Sequence, residues 1–348
     1  MHVVSSGPSQ KPGLDTGGVE HHWLPMVREP RLVRDLWSFV LWLKILLRLE
    51  PNVVVIGTPK AAILGLVAAR LAGTPFRVYH LRGLRMEASS GLKRGFLRFA
   101  ERLTARAATH IVAVSTSLAQ EYLAENLAPP AKVSVLGCGS SHGVDTRQFF
   151  PLSPAAMARD KARLALSANV PVLGFVGRFS ADKGADAILA TRRWLVREGT
   201  DHELLIVGAI EDSEQIFRQL SLVGRPVKHV EWTDQVASYY RLMDLLLLPS
   251  RREGFPNVVL EAAATGVPSI VTATTGSVDA IVHGQTGLVV ETGSIEKFAV
   301  ATSDLLGERD LRLKMGEKAL ARVRAFYRSE IVEHDFASFI QALRHTNA

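Results

Sequence analysis

Two glutamates, Glu253 and Glu261, are separated by seven residues at a point where a predicted strand is followed by a predicted helix. The apolar run at residues 244–249 is short enough to be a buried strand, and the helical segment after it ends at Gly266. Glu253 is then expected in the loop at the strand's carboxyl end, and Glu261 about two turns into the helix, with Pro256 in the first turn. Carboxylates at that edge of a parallel sheet are suited to bind sugar and ribose hydroxyls. The spacing alone is equally typical of a solvated loop glutamate and a glutamate on a helix surface.

A second loop carries two cations at the end of another predicted strand. The strand at residues 171–176 ends at Gly177, and Arg178 and Lys183 follow before the next helix. Arginine can bind two phosphate oxygens at once and lysine is a mobile point charge, so the pair suits a diphosphate. Two surface cations would give the same pattern. Because both loops belong to one alternating strand–helix array, we expect them to face the same edge of the sheet.

In combination, these motifs resemble the donor domain of the retaining glycosyltransferases of family 4, which have the two-domain GT-B fold. First-half stretches are similar to those of members that build bacterial capsular and exopolysaccharide repeat units. The stretches that carry the resemblance are residues 57–61, 81–85, 137–145, 177–184, 253–261, 266–268, 274–279 and 283–290. The predicted fold class is therefore α/β, with two Rossmann-like domains facing a central cleft.

The resemblance implies roles for individual residues. Arg178 and Lys183 would stabilise charge on the departing diphosphate, Glu253 would hold hydroxyls of the donor sugar, and Glu261 would hold the ribose hydroxyls; the first three are the predicted catalytic residues. The other predicted donor-binding residues are Gly177, Gly254, Phe255, Pro256, Asn257, Thr275 and Gly276. No metal or other cofactor is expected, since the sequence has no Asp-x-Asp and no cysteine or histidine spacing typical of a metal site.

Three residues of the first half are acceptor-side candidates, namely His80, Arg82 and Arg85. The two arginines follow a predicted strand and are placed to reach a diphosphate on a lipid acceptor. Many family-4 enzymes have a histidine where Arg82 stands, so we assign no catalytic base.

The segment Gly91–Ala107 is predicted to be a basic amphipathic helix. Its arginines at 94, 98, 102 and 106 lie on one stripe beside an apolar face. Such a helix can lie on an anionic membrane, and a packed helix with a solvated basic face explains the pattern equally well.

The charge is uneven along the chain, which has a net charge of +7 overall. Residues 1–165 hold 21 Lys and Arg against 11 Asp and Glu, whereas residues 166–348 hold 20 against 23. A basic first half favours an anionic partner there, and the absence of an aromatic-interleaved basic motif argues against nucleic acid.

The single cysteine, Cys138, and the lack of a signal peptide or a long apolar segment favour a cytoplasmic protein, peripheral on the inner face of the plasma membrane. The adjacent His21 and His22 are predicted to face opposite sides of a sheet rather than to share a metal.

The predicted domains are an acceptor-binding domain at residues 1–155, a donor-binding domain at residues 156–325, and a C-terminal helix at 326–348 that returns to the first domain. The C-terminus is predicted to be long and helical, from about Arg309 to Arg344. Relative to the family, the first domain is expected to lack about 30 residues at its start, roughly one strand–helix unit.

The predicted function is transfer of a sugar, with retained configuration, from a nucleotide diphosphate sugar to a polyprenyl-diphosphate-linked or saccharide acceptor. A UDP-sugar is the favoured donor, and the route is bacterial cell-surface polysaccharide synthesis. One alternative is a shortened, inactive nucleotide-binding partner of another transferase. A nicotinamide-dependent enzyme would need G-x-G-x-x-G, which the sequence lacks. An epimerase or phosphorylase of the same fold is the remaining alternative.

Overall fold

The computed structural model describes residues 1–5, 18–26 and 31–345. The chain forms two compact units, one of residues 1–113, 122–134 and 340 onward, the other of residues 114–121 and 135–339. We call them unit 1 and unit 2. The predicted limits at residues 155 and 325 do not coincide with these boundaries, and residues 346–348 of the predicted last segment lie outside the described residues.

Unit 1 alternates strands and helices. Its elements are β1 (His2–Ser5), β2 (Glu20–Trp23), α1 (Leu32–Leu49), β3 (Val53–Ile56), α2 (Pro59–Leu71), β4 (Phe76–Leu81), α3 (Gly91–Ala107), β5 (His110–Ala113), the end of α4 (Thr116–Ala124) and most of β6 (Val133–Val135). β1 and β2 pair in parallel, and a four-stranded sheet has the order β3-β4-β5-β6. α1 packs on α2 where Gly65 leaves room, since a Cβ there would overlap Ile56 and crowd the Trp42 indole.

Unit 2 is built on one six-stranded parallel sheet. Its further elements are α5 (Pro154–Arg163), β7 (Val172–Val176), α6 (Ala185–Arg197), β8 (Glu203–Val207), α7 (Glu214–Ser221), β9 (Lys228–Val230), α8 (Val236–Tyr240), β10 (Leu245–Leu248), α9 (Asn257–Ala264), β11 (Ser269–Thr272), α10 (Ser277–Ala280), β12 (Gly287–Val290), α11 (Ile295–Gly307), α12 (Arg309–Phe326) and α13 (Ser329–His345), whose last residues belong to unit 1. Every residue of β7, β8, β10 and β11 is buried, as expected for central parallel strands covered on both faces.

The sheet order of unit 2 reverses at its middle. The order is β12-β11-β10-β7-β8-β9, so the chain runs outward from β7 to β9 and returns to start again at β10 on the other side of β7. The loops after β7 and β10 therefore begin side by side at the same edge of the sheet. In open α/β sheets, this reversal point is where ligands bind.

The C-terminal region predicted to be helical from about Arg309 to Arg344 is helical but is divided into two helices. α12 ends at Phe326 and α13 begins at Ser329. Val144 lies at the break, where its N–H donates to the Tyr327 carbonyl at 2.8 Å and its own carbonyl accepts from the Ser329 N–H at 3.0 Å. Apolar periodicity continues on both sides of the break and gives no signal of it. None of the described helices combines the length and apolarity that a membrane span needs.

Candidate functional site

The loops after β7 and β10 meet through one ion pair between predicted site residues. Lys183 donates from Nζ to Glu253 Oε1 at 2.6 Å, and the two side chains are 24% and 10% exposed. The residues are 70 positions apart in sequence and come together because β7 and β10 are neighbouring parallel strands. The pair thus marks the edge of the sheet at which the strand order reverses.

A glycine allows these two loops to approach closely. Gly184 has φ +78°, and a Cβ at this position would overlap the carbonyl oxygen of Pro249 at the end of β10. The Arg251 N–H donates to the Asp182 carbonyl at 3.0 Å and links the loops a second time. The backbone around Lys183 is therefore fixed against the loop that carries Glu253.

Arg178 lies on the other side of the β7 loop. Its guanidinium forms an ion pair with Glu211, which follows β8, and is 3.7 Å from Asp182. The hydrogen bond to Glu211 raises the pKa of Arg178. The structure places Arg178 at the end of the same strand as Lys183 but pairs it with the β8 side of the sheet.

Glu261 is held by a tyrosine. The buried Tyr240 hydroxyl donates to Glu261 Oε2 at 2.7 Å. Burial raises the pKa of Glu261, and the hydrogen bond from Tyr240 opposes that rise. The prediction that Glu261 lies two turns into its helix is wrong, because α9 begins at Asn257 and Glu261 is its fifth residue; Pro256 is the N-cap rather than a first-turn residue.

The loop after β11 contributes the remaining predicted donor-side residues, Thr275 and Gly276. Gly276 has φ +76°, and a Cβ on it would overlap the carbonyl oxygen of Gly254. Its N–H donates to Ser117 Oγ at 2.7 Å. In the same cluster, Ser115 Oγ donates to the Gly254 carbonyl at 2.9 Å. Loops from three neighbouring strands, β7, β10 and β11, therefore converge at one edge.

Two serines at the start of α4, Ser115 and Ser117, also hold these loops, and the sequence did not predict them. Ser117 binds Asp279 through both its N–H, at 3.1 Å, and its hydroxyl. These serines lie about 140–160 residues from the loops they hold, so no short sequence motif could have indicated the contacts.

Asn257, a predicted donor-side residue, makes its contacts with the stretch at residues 137–145. Its side-chain amide donates to His142 Nε2 at 2.9 Å, and Ser140 donates to its Oδ1 at 3.4 Å. Phe255 is buried and packs against Tyr327, with ring centroids 5.6 Å apart. Gly177, at the end of β7, lies against Gly208, where a Cβ would overlap the Gly177 carbonyl oxygen. The predicted glycines of the site therefore serve close approaches of backbone to backbone.

The acceptor-side candidates lie at the carboxyl end of β4 in unit 1. His80 is buried within the strand, while Arg82 and Arg85 are exposed. Arg82 covers Gly57, since a Cβ on that glycine would be 3.1 Å from Arg82 Nε. Partial burial lowers the pKa of Arg82. The structure thus joins two of the stretches that carry the family resemblance, residues 57–61 and 81–85.

Helix α3 exposes large apolar side chains. Leu92 is 96% exposed, Phe96 66% and Phe99 62%. Arg94 and Arg98 both pair with Glu125, at 2.6 Å and 3.6 Å, so part of the basic stripe is neutralised within unit 1.

Comparisons with known proteins cover both halves of the chain. Residues 170–308 match a family model described as glycosyl transferases group 1, and residues 1–139 match one described as a glycosyl transferase 4-like domain. The chain is 34% identical over 344 residues to the capsular polysaccharide biosynthesis glycosyltransferase CapM of Staphylococcus aureus, covering 97% of this chain and 88% of that protein.

A second relative is the UDP-Gal:alpha-D-GlcNAc-diphosphoundecaprenol alpha-1,3-galactosyltransferase of Escherichia coli. It is 24% identical over 294 residues, covering 83% of this chain and 75% of that protein. Among solved structures, Anabaena HepE in complex with UDP superposes with a TM-score of 0.77 at 19% identity, over 93% of this chain and 86% of that one. The fold-class prediction, α/β of the GT-B type, is confirmed.

Proposed function

We propose that this chain transfers a sugar from a nucleotide diphosphate sugar to a lipid-linked or saccharide acceptor in bacterial surface polysaccharide synthesis. The chain belongs to the group 1 glycosyl transferases, and its first half matches the glycosyl transferase 4-like domain. Similarity to CapM supports the polysaccharide route. The E. coli relative is named for a UDP-sugar donor and a diphosphoundecaprenol acceptor, and HepE was solved with UDP. These names favour a UDP-sugar as donor and a polyprenyl-diphosphate saccharide as acceptor.

The observation that carries the proposal is the Lys183–Glu253 pair at the reversal point of the sheet. A nucleotide diphosphate bound there would present its distal phosphate to Lys183, and the sugar to Glu253. As the bond between the sugar's anomeric carbon and the diphosphate oxygen breaks, negative charge grows on that oxygen, and a fixed cation stabilises it mainly in the transition state. The acceptor hydroxyl forms the new bond on the same face, with retention, and its proton leaves with the diphosphate.

Neighbouring residues complete the donor site in this proposal. Arg178 would exchange Glu211 for diphosphate oxygens, and Glu261, oriented by Tyr240, would accept hydrogen bonds from the ribose hydroxyls. Because a lysine and an arginine supply the positive charge and the sequence has no Asp-x-Asp, we infer that transfer does not require a metal.

Alanine substitution at Lys183 tests the role of its charge. Loss of a preorganised group that stabilises developing charge typically costs about 10²–10³-fold in kcat. We expect Lys183→Ala to lose turnover on that scale when it is assayed well below its thermal transition, which should itself be lowered because Glu253 loses its partner. The matched control is Lys297→Ala, since Lys297 forms a similar 2.7 Å pair with Glu291 on an exposed surface.

Equal turnover of Lys183→Ala and wild type would refute the assignment. Wild type that binds UDP but turns over no donor, with any of a panel of UDP-sugars and polyprenyl-diphosphate acceptors, would instead indicate the inactive-subunit alternative. Free sugar formed without acceptor would indicate a different activity of the same fold.

We further propose that unit 1 contacts the inner face of the plasma membrane through α3. Its exposed Leu92, Phe96 and Phe99 would enter the interface, and the basic residues beside them would meet anionic headgroups. Phe96→Ser with Phe99→Ser should abolish co-sedimentation with phosphatidylglycerol vesicles. Leu222→Ser is the control, because Leu222 is 86% exposed but belongs to unit 2. Equal vesicle binding by both variants would contradict this surface.

A further inference from the structure

Three metal-ligand side chains lie together on one face of the two-stranded sheet in unit 1. β1 and β2 pair in parallel with His2 opposite Glu20 and Val4 opposite His22. Glu20 and His22 are two residues apart on β2 and so share a face with each other and with His2. His21 occupies the opposite face, which confirms the prediction that the adjacent histidines face opposite sides of a sheet.

The distances between the ligand atoms fit a single small cation. His2 Nδ1 is 3.2 Å from His22 Nε2 and 3.3 Å from Glu20 Oε2, and His22 Nε2 is 4.0 Å from the same oxygen. A triangle with these sides has a circumscribed radius of about 2.1 Å, which is the length of zinc–nitrogen and zinc–oxygen bonds. One point therefore lies at bonding distance from all three atoms.

The donor set and its exposure also fit zinc. Two imidazoles and one carboxylate are a known zinc ligand set, to which water adds a further ligand. The side chains are 39%, 72% and 24% exposed for His2, Glu20 and His22, so an ion can reach the site from solvent. All three residues belong to unit 1, whereas Lys183 and Glu253 belong to unit 2.

We propose that His2, Glu20 and His22 bind one zinc ion that joins β1 to β2 and stabilises unit 1. β1 is four residues long, and within the part of the chain that the structure describes its sheet consists of β1 and β2 alone. An isolated two-stranded pair is weakly stable in water. A metal that bridges both strands adds its binding free energy to folding. This role is independent of sugar transfer, which needs no metal in the mechanism above.

The test is zinc titration of the untagged full chain by isothermal calorimetry, with thermal unfolding measured with and without zinc chloride. We expect one equivalent to bind and to raise the temperature of unfolding. His22→Ala should weaken binding by at least about tenfold, since even loss of an outer-shell partner costs that much. Glu20→Gln gives a second variant that keeps the shape of the side chain.

His21→Ala is the matched control, because it removes a histidine from the same strand on the opposite face. It should bind zinc as wild type does. The proposal is overturned if wild type binds no zinc, if His22→Ala and Glu20→Gln bind it as tightly as wild type, or if His21→Ala loses as much affinity as His22→Ala. In the first case the three residues form only a hydrogen-bonded ion pair. Turnover is not a readout here, so failure would leave the proposed transferase activity intact.

Discussion

Gly276→Ala separates the cost of a strained backbone from the cost of forcing two loops apart. Gly276 has φ +76°, and a Cβ there would overlap the Gly254 carbonyl oxygen in the neighbouring loop. Gly284 is a natural control in the same unit: it has φ +73°, and nothing lies within 4 Å of its added Cβ. Both substitutions place an alanine at positive φ; Gly276 also has ψ −35°, outside the left-handed helical region, and only Gly276→Ala adds a steric overlap.

The expected losses follow from these two terms. A non-glycine residue at positive φ costs about 1–2 kcal/mol, which is the whole expected effect of Gly284→Ala. Overpacking adds about 1–3 kcal/mol at Gly276, for a total of about 2–5 kcal/mol. For a unit of this size, each kcal/mol lowers Tm by about 2–4 °C. From the middle of each range, about 1.5 and about 3.5 kcal/mol, Gly284→Ala should lower Tm by about 3–6 °C and Gly276→Ala by about 7–14 °C.

Differential scanning calorimetry of the two variants beside wild type measures both terms. Donor turnover, assayed well below either transition, should fall for Gly276→Ala alone, because its substitution displaces the β11 loop from Gly254. Equal Tm losses would show that the loops move apart freely, and would refute the view that their close contact shapes the site.

Two further predictions concern buried carboxylates. Burial raises the pKa of Glu101 on α3 to about 7, against the hydrogen bonds from Tyr79 and Tyr122, which lower it. A raised carboxyl pKa contributes stability that is complete below the unfolded value and is lost as pH rises through the folded one, so stability should fall by about 3 kcal/mol from about pH 4.5 to pH 7. Denaturant titrations of Glu101→Gln across this range should lack that decline, and a decline unchanged in the variant would contradict the assignment. Tyr240→Phe removes the 2.7 Å hydrogen bond to Glu261, should cost about 1.5–3 kcal/mol of stability and should weaken UDP binding on the acid side of its pH profile; calorimetry that finds the same affinity and pH profile as wild type would dissociate Tyr240 from the nucleotide site.

The local order of strand, loop and helix predicted that the loops carrying Lys183 and Glu253 lie at one edge of the sheet, but not that the two side chains pair. Lys183 and Glu253 each follow an apolar run short enough to be a buried strand, and neighbouring parallel strands bring such loops to one edge. The same reasoning placed Arg178 at that edge but could not show its partner. Glu211 comes from the loop after β8, and the sequence does not show which of two nearby carboxylates pairs with Arg178.

Contacts between distant segments escaped the sequence reasoning. Tyr240 lies in a short helix before β10 and reaches Glu261 in the helix after it, without any motif that links them. Ser117 holds Asp279 from 162 residues away. The break between α12 and α13 depends on the backbone of Val144, and backbone hydrogen bonds leave no mark in the pattern of side chains. Periodicity reports which face of an element is buried, not what it is buried against.

The pairing of Lys183 with Glu253 affects which ligands this site can bind. A small inorganic anion that captured the lysine would strand a carboxylate that is only 10% exposed, and an unpartnered buried charge is costly. A compound that offers a phosphate to Lys183 and hydroxyls to Glu253 gives each side chain a new partner. In the proposed donor site, an intact sugar nucleotide should therefore outcompete its own free nucleotide.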